Sequence, residues 1–335
     1  MLFAMLLLNK GTAQTHPNPE IHQLVTSGID YLINQDFHKA RVTFSTLQKK
    51  YPQNPLGKIF LAATELYIAY DNQSPLDDSK ILDWLNDAIA MSEHLLETDK
   101  NNVWYNYYKG LAEGNKANLF LSSDSWFSGA TTSYTSKQYF DRCIAIDSTF
   151  YDAYVSLGIF KYWTGEKTEI LSWLPFLKDE RNEGLKILLS AISKKSYHSY
   201  LAVHNVVWIY LKRNDFRHAK EALEPMLKKY PNSRFFKWDL AKIYEETDRV
   251  KAIEVYWEIY NSFDKSFVKN RVNDISLKFI LAKNYFALGD SKTAAKLLTE
   301  IPNENQLTSF EIEKLGSRVD RIRALRSEMQ KKLQK

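Results

Sequence analysis

YLAVHNVVWIYLKRNDFRHAKEALEPMLKKYPNS, residues 200–233, holds two apolar-periodic segments split by the turn-like Lys212-Arg213-Asn214-Asp215 and closed by Pro231-Asn232. The spacing Val207-x2-Tyr210-x8-Ala219-x3-Leu223-x2-Met226-x4-Pro231 puts a small residue and an aromatic one turn apart on a first helix. It then puts a small residue, two large apolar ones and a stop on a second. The unit is a helix-turn-helix hairpin. One hairpin cannot bury its apolar faces alone, so further copies are required beside it.

The first copy lies near the N-terminus: Gly28-x2-Tyr31-x8-Ala40-x3-Phe44-x2-Leu47-x4-Pro52 matches residues 207–231 position for position. Its turn is Asn34-Gln35-Asp36, and Lys49-Lys50-Tyr51-Pro52 stops its second helix as Lys228-Lys229-Tyr230-Pro231 does later. Another copy reads Leu281-Ala282-x2-Tyr285-x3-Gly289-Asp290-x3-Ala294-x3-Leu298, ended by Pro302. Between them, Trp238, Leu240, Tyr244, Ala252, Tyr256 and Ile259 carry a copy one residue short at Asp248-Arg249. These spacings resemble the tetratricopeptide repeat.

Three longer copies occupy residues 55–102, 103–150 and 151–198. Ala62, Gly110 and Gly158 take the small position of the first helix at intervals of 48 residues, and Ala88, Ser136 and Gly184 take it on the second. Each copy therefore exceeds the ~34-residue repeat by roughly 14 residues, in Asp71–Asp83, Ser122–Tyr134 and Thr164–Asp179. Second helices are expected over Lys80–Glu97, Thr135–Ile146 and Arg181–Ser193. Tyr154-x2-Leu157-Gly158 is close to the repeat's Trp-x2-Leu-Gly, and Trp173-Leu174-Pro175-Phe176 resembles a stretch found in a bacterial branch with enlarged central repeats. The expectation is an all-α, right-handed α-solenoid of about seven hairpins over residues 21–302. A linker at 14–20 precedes it, and one long helix, Leu307–Leu333 within 303–335, caps the last apolar face through Leu315, Val319, Ile322, Leu325 and Met329.

Composition agrees with a helical protein. Of 335 residues, 44% are apolar and 25% charged, while 11 Gly and 9 Pro leave little turn material for an all-β fold. The net charge of +5 is concentrated at residues 314–335, where eight Lys/Arg face Asp320 and Glu328. The rest of the chain is close to neutral, so a chain-wide basic surface for nucleic acid is not expected. The single cysteine, Cys143, excludes an internal disulfide and a thiolate zinc site, and reads as a small core residue. Met1–Leu8 followed by Gly11-Thr12-Ala13 reads as a truncated export signal ending near Ala13, which implies a periplasmic or envelope-peripheral protein; otherwise the chain is cytoplasmic.

No catalytic constellation stands out: there is no His-Glu-x-x-His, no Gly-x-Ser-x-Gly, no phosphate-cradling loop, and the seven histidines are scattered. No enzyme activity, cofactor or metal is expected. In the proteins this chain resembles, first helices line a groove that engages an extended peptide or a partner helix. The resemblance implies Trp104, Tyr107 and Tyr108; Asp152, Tyr162 and Trp163; and His204, Asn205, Trp208 and Lys212 as groove residues. Aromatics beside amides and a lysine suit stacking and hydrogen bonding to a peptide, although the same rings also suit packing between hairpins. Some relatives grip a C-terminal carboxylate through paired Lys and Asn; here only Asn205 and Lys212 correspond. The expected function is a protein-protein interaction scaffold binding a protein or peptide partner, without nucleic acid. One alternative is a peripheral membrane organiser using Trp173–Phe176 and the basic C-terminal helix. Another is a small-molecule carrier or hydrolase in a cavity of the long repeats.

Overall fold

The computed structural model describes residues 14–123, 125–167, 179–194, 196–263 and 271–333. The expected export signal and the Trp173–Phe176 stretch lie outside them. Sixteen α-helices and no strand occur among the described residues. They are α1 (Pro19–Ile33), α2 (Phe37–Lys50), α3 (Leu56–Asn72), α4 (Asp78–Thr98), α5 (Val103–Ser122), α6 (Trp126–Ile146), α7 (Tyr151–Lys167) and α8 (Arg181–Ile192). They continue with α9 (Ser199–Lys212), α10 (Phe216–Lys229), α11 (Arg234–Thr247), α12 (Arg249–Ser262), α13 (Val272–Ala287), α14 (Ser291–Glu300), α15 (Ser309–Leu315) and α16 (Arg318–Leu333).

Local chemistry explains the hairpin turns. Seven residues after each small position Gly28, Val207 and Ala282 comes a left-handed residue: Gln35 (φ 58°), Asn214 (φ 55°) and Gly289 (φ 87°). The next residue is an aspartate that caps the second helix by accepting a backbone N–H, Asp36 from Lys39 at 3.3 Å, Asp215 from His218 at 3.2 Å and Asp290 from Thr293 at 3.0 Å. In the copy that is one residue short, Asp248 serves both helices. Its N–H closes α11 on Tyr244 O at 2.9 Å, and its side chain opens α12 on Lys251 N at 3.2 Å.

The enlarged copies spend their extra residues on helix. α5 and α6 have 20 and 21 residues, against 15 and 14 in α1 and α2. The second helix begins at Trp126, nine residues before the expected Thr135, because the Ser128-Gly129-Ala130-Thr131-Thr132 stretch continues the helix instead of breaking it. Most of the extra length in the third enlarged copy falls on residues 168–178, outside those described.

The chain divides into two compact units. The first comprises Met1–Leu32, Asp36–Glu65 and Asp77–Ile209. Its hairpins close through small residues, with Gly110 beneath Phe140 and Gly158 beneath Leu188. The Ser136 hydroxyl donates to Gly110 O at 2.8 Å, sealing α5 against α6. Cys143 is buried in this core, its thiol directed at Val103 O at 3.5 Å.

The second unit comprises Ile33–Gln35, Leu66–Leu76 and Tyr210–Lys335. The end of α3 is bound into it: Arg234 forms a forked ion pair with Asp71, donates its backbone N–H to Gln35 Oε1 at 2.9 Å, and reaches Ser262 O at 3.1 Å. Its core runs from Ala241 through Tyr256, Ile275 and Phe279 to Leu315, Ile322 and Met329. The expected single terminal helix is in fact two, because Gly316 adopts φ 50° and closes α15 on Ile312 O before α16 begins. A Thr308/Glu311 capping box starts α15, and Arg271 pairs with Glu311, whose carboxyl this partner holds down at about 2. The basic residues of α16 are partly structural: Arg326 donates to Leu298 O at 2.9 Å and Ile301 O at 2.5 Å, and Arg318 donates to Ser276 Oγ at 2.8 Å.

The α7–α8 crossing generates a stability prediction. A Cβ on Gly184 would lie 2.7 Å from Tyr162 N and 2.8 Å from Gly158 O, both backbone atoms that cannot swing away. Gly184→Ala should lower the unfolding free energy by about 1–3 kcal/mol, read from urea denaturation. Gly114→Ala, whose Cβ would meet only the Ser136 hydroxyl at 3.1 Å, should cost less; equal stability of the two variants would refute this account of the crossing.

Candidate functional site

Asn102 fixes the start of α5 by accepting from Trp104 N at 3.0 Å and Tyr105 N at 3.3 Å. From that start, Trp104 and Tyr108 lie one turn apart on the same face, their rings 6.2 Å apart and tilted at 45°. Against them lies a segment belonging to no helix, residues 14–18, which the sequence presents only as linker. His16 is 6% exposed there. Its ring sits 4.7 Å from the Trp104 ring, edge to face, and its Nε2 lies 2.7 Å from the Tyr108 hydroxyl. Its backbone N–H donates to the Tyr197 hydroxyl at 3.1 Å, and that hydroxyl lies 2.6 Å from His22 Nδ1. Gln14 Oε1 accepts the Asp152 N–H at 3.2 Å.

The hydrogen bonds assign the His16 tautomer. Asn18 N donates to Nδ1 at 3.0 Å, so Nε2 carries the proton and donates to Tyr108. Burial lowers the His16 pKa to about 4; the nearby His22 charge acts in the same direction, and the Asn18 carbonyl opposes it. Burial likewise raises the Tyr108 and Tyr197 hydroxyls, which stay protonated, Tyr108 accepting from His16 Nε2 and from Asn54 Nδ2.

Behind this surface Asp152 is fully buried. Its carboxylate accepts from Tyr197 N at 3.2 Å and His198 N at 2.9 Å and faces His198 Nδ1 at 3.2 Å. Tyr107 reaches the same nitrogen through its hydroxyl at 3.2 Å, and Phe60 stacks on the His198 ring. Asp152 thereby orders the chain entering α9, satisfying two backbone donors that would otherwise be buried unpaired. Beside His16 an open cavity of about 580 Å³ continues, walled by Lys50, Tyr51, Asn54, Asn102, Trp104 and Tyr105. Lys50 is held by Glu20, which also accepts from the Tyr51 hydroxyl at 2.5 Å.

Of the expected groove residues, Trp104, Tyr107, Tyr108 and Asp152 meet in this cluster. Trp104 is half-buried, whereas Tyr107, Tyr108 and Asp152 are buried and act as framework. A second group joins α7 to α9: Trp163 Nε1 donates to Asn205 Oδ1 at 2.6 Å, Asn205 returns a bond to Leu201 O at 2.8 Å, and Tyr162 is buried against Trp163. His204 and Trp208 pack ring to ring at 6.2 Å on α9. Lys212 ends α9 within the second unit. Sequence reasoning missed His16, Asn54, Tyr105, Tyr197 and His198. A His between Gln14 and the paired prolines Pro17 and Pro19 was the available signal, but no periodicity points to a contact across 181 residues. Among the described residues no cluster of three His, Cys, Asp or Glu side chains is arranged to hold a metal.

No protein-family model matches the chain, and no curated protein sequence does. Solved structures match by shape. Human IFIT1, in a dimer with PPP-AAAA, superposes with a TM-score of 0.52 at 14% identity over 88% of this chain and 61% of that one. The IFIT1 dimer with m7Gppp-AAAA gives 0.53 at 15% identity over 87% and 60%. The fold is that of a tetratricopeptide-type helical repeat. A tetratricopeptide repeat protein from Parabacteroides merdae also matches, at a TM-score of 0.39 and 12% identity, over 93% of this chain and all of that one. The helical-repeat chain described here spans about three fifths of the IFIT1 length.

The lowered pKa of His16 sets a pH window. Its folded value of about 4 lies below the ordinary 6.5, so the unfolded or undocked segment takes up the proton first. Docking of residues 14–18 should be fully favourable above pH 6.5 and lost progressively as pH falls toward 4. An imidazole NMR titration checks this; a His16 midpoint near 6.5 would show that the ring is not buried in solution.

Proposed function

We propose that this protein is a non-enzymatic interaction scaffold that holds an extended segment of a protein partner beside α5, in the groove bordered by Trp104, Tyr105, Asn54 and Tyr197. The observation that carries the reading is residues 14–18. A short non-helical segment of the chain already lies there, anchored by the His16 and Gln14 side chains and the His16 backbone N–H, and an open cavity of about 580 Å³ adjoins it. Trp104 and Tyr105 offer faces for stacking, Asn54 and Asn102 offer amide groups, and Lys50 stands at the rim. Tetratricopeptide-type folds of this kind serve as scaffolds for macromolecular partners, which agrees with this use.

The IFIT1 structures hold capped or triphosphorylated oligonucleotides, but a phosphate-rich ligand is not the reading favoured for this chain. Lys50 is the one Lys or Arg in the groove lining, and Glu20 pairs with it. Phosphate contacts require several unpaired cations in a row. We further propose export to the cell envelope, on the strength of Met1–Leu8 and Gly11-Thr12-Ala13.

Selection of displayed peptides against the full chain, followed by calorimetry, tests the groove. Peptides are expected to bind with affinity that falls by about tenfold or more in Trp104→Ser, as for an interface anchor, and is unaffected by Leu189→Ser on an exposed face of α8. Peptide binding indifferent to Trp104 and Asn54, or selection of no peptide at all, would remove the proposal.

A further inference from the structure

The tip of the α5–α6 hairpin carries a surface that neither the groove nor helix packing uses. From Ala117 to Ser136 the sequence holds one charged residue, Asp124, in a chain that is 25% charged. Trp126 is 71% exposed, Phe127 67% and Leu121 40%. The two rings meet edge to face at 6.0 Å. Leu121 lies across Gly129, where a Cβ would come within 2.6 Å of its branch, so the apolar surface is continuous from one helix to the other. Single exposed apolar residues are ordinary, but adjoining rings and a leucine on a nearly chargeless tip mark a contact surface.

The polar groups of the tip are largely satisfied internally. Ser122 Oγ donates to Leu119 O at 2.7 Å, Thr131 Oγ1 to Ser128 O at 3.0 Å, and Ser133 Oγ to Gly129 O at 2.7 Å. Ser125 N donates to Phe120 O at 2.9 Å across the turn. A hydroxyl already bonded to a carbonyl of its own helix costs less to remove from water. Charges resume at Lys116, which donates to Asn86 Oδ1 at 2.9 Å, and Lys137, which pairs with Asp141 at 2.5 Å. Trp126 to Lys137 spans about 16 Å of helix at the usual rise per residue. Two charges meet the tip at its base: Asp78 accepts from Ser123 Oγ at 2.9 Å, and the Lys116 ammonium lies over the Phe120 ring at 5.8 Å.

We propose that this tip seats in the interfacial layer of a bilayer with zwitterionic headgroups. Trp126, Phe127 and Leu121 enter the headgroup–acyl boundary, whose depth of ~5–10 Å for peripheral helices fits within the chargeless length. Asp78 at the tip's base matches the cationic end of a choline or ethanolamine headgroup and disfavours anionic lipid. The site is independent of the groove proposed above.

Co-sedimentation of the full-length protein with phosphatidylcholine vesicles, and with vesicles doped with phosphatidylserine, tests it. Wild type should bind the former and bind less as phosphatidylserine is added. Trp126→Ser with Phe127→Ser should weaken binding by about tenfold or more, with an unchanged circular dichroism spectrum because both side chains are exposed. Three outcomes would overturn the proposal: no binding of wild type to phosphatidylcholine, binding that grows with phosphatidylserine, or binding that survives in the double variant. Loss of self-association in the double variant, without any vesicle binding by wild type, would assign the tip to a protein contact and overturn it equally.

Discussion

Everything in the first unit depends on how closely the two helices of a hairpin approach. At each crossing a small residue on the first helix lies beneath a large one on the second: Gly110 under Phe140, Gly158 under Leu188. At Gly158 and Gly184 the exchange is mutual, and the backbones themselves come into contact range. Close approach lets the large side chain fill the space a Cβ would take, which is how these interiors reach native packing density. It also fixes register along the chain, since a slip of one residue would set a side chain against a backbone. The 48-residue interval therefore measures the repeat of a physical contact, one crossing per hairpin.

That contact is why the fold was legible. Small residues at regular intervals are visible in a single sequence, as are the left-handed residue and the capping aspartate that follow seven and eight positions later. The Asp248 turn shows the rule at its limit: with one residue removed there is no place for a left-handed residue, and one aspartate takes both caps. Where the sequence misled, a stronger local signal hid a weaker one. Leu315, Val319 and Ile322 continue a helical stripe across Gly316, yet Gly316 takes a positive φ and divides the helix. The extra residues at Ser122–Tyr134 suit a longer helix or a longer turn, with a second helix expected only from Thr135, and their Ser, Thr and Gly favour turns in general. In place, the Ser122, Thr131 and Ser133 hydroxyls bond back to their own helices, and α6 runs from Trp126 through the stretch.

The site was legible only in part, for a geometric reason. Periodicity assigns a residue to a face of a helix, but a first helix in a stack of hairpins has neighbours on several faces. Trp104, Tyr107 and Tyr108 were all visible as an aromatic cluster on α5, and only packing separates the half-buried Trp104 from the buried pair. Asp152 is a further case. A carboxylate on a first helix reads as a ligand contact, but here it is consumed by the backbone of Tyr197 and His198. His16 was invisible because its partners, Tyr108 and Tyr197, lie 92 and 181 residues away and its own segment has no period.

The His16 segment and the α5–α6 tip show the two ways a repeat can acquire a surface that its packing does not dictate. In the first, a framework saturated by buried hydrogen bonds leaves one face of α5 open, and a short segment settles there, held by a neutral imidazole, a backbone N–H and the Gln14 amide. Such a contact is specific but shallow, since it orders few residues and immobilises one ring; the entropy recovered on release is correspondingly small. In the second, lengthening a hairpin beyond its crossing points leaves a tip whose Trp126 and Phe127 are exposed. Its composition is then free of the small-against-large rule that governs the rest of the hairpin. A tip under no further constraint would drift toward the charged residues that cover most of this chain's surface. Twenty residues with a single charge, and hydroxyls mostly bonded inward, run against that drift. The physical conclusion is that the tip's usual environment is poorer in water than the surface around it.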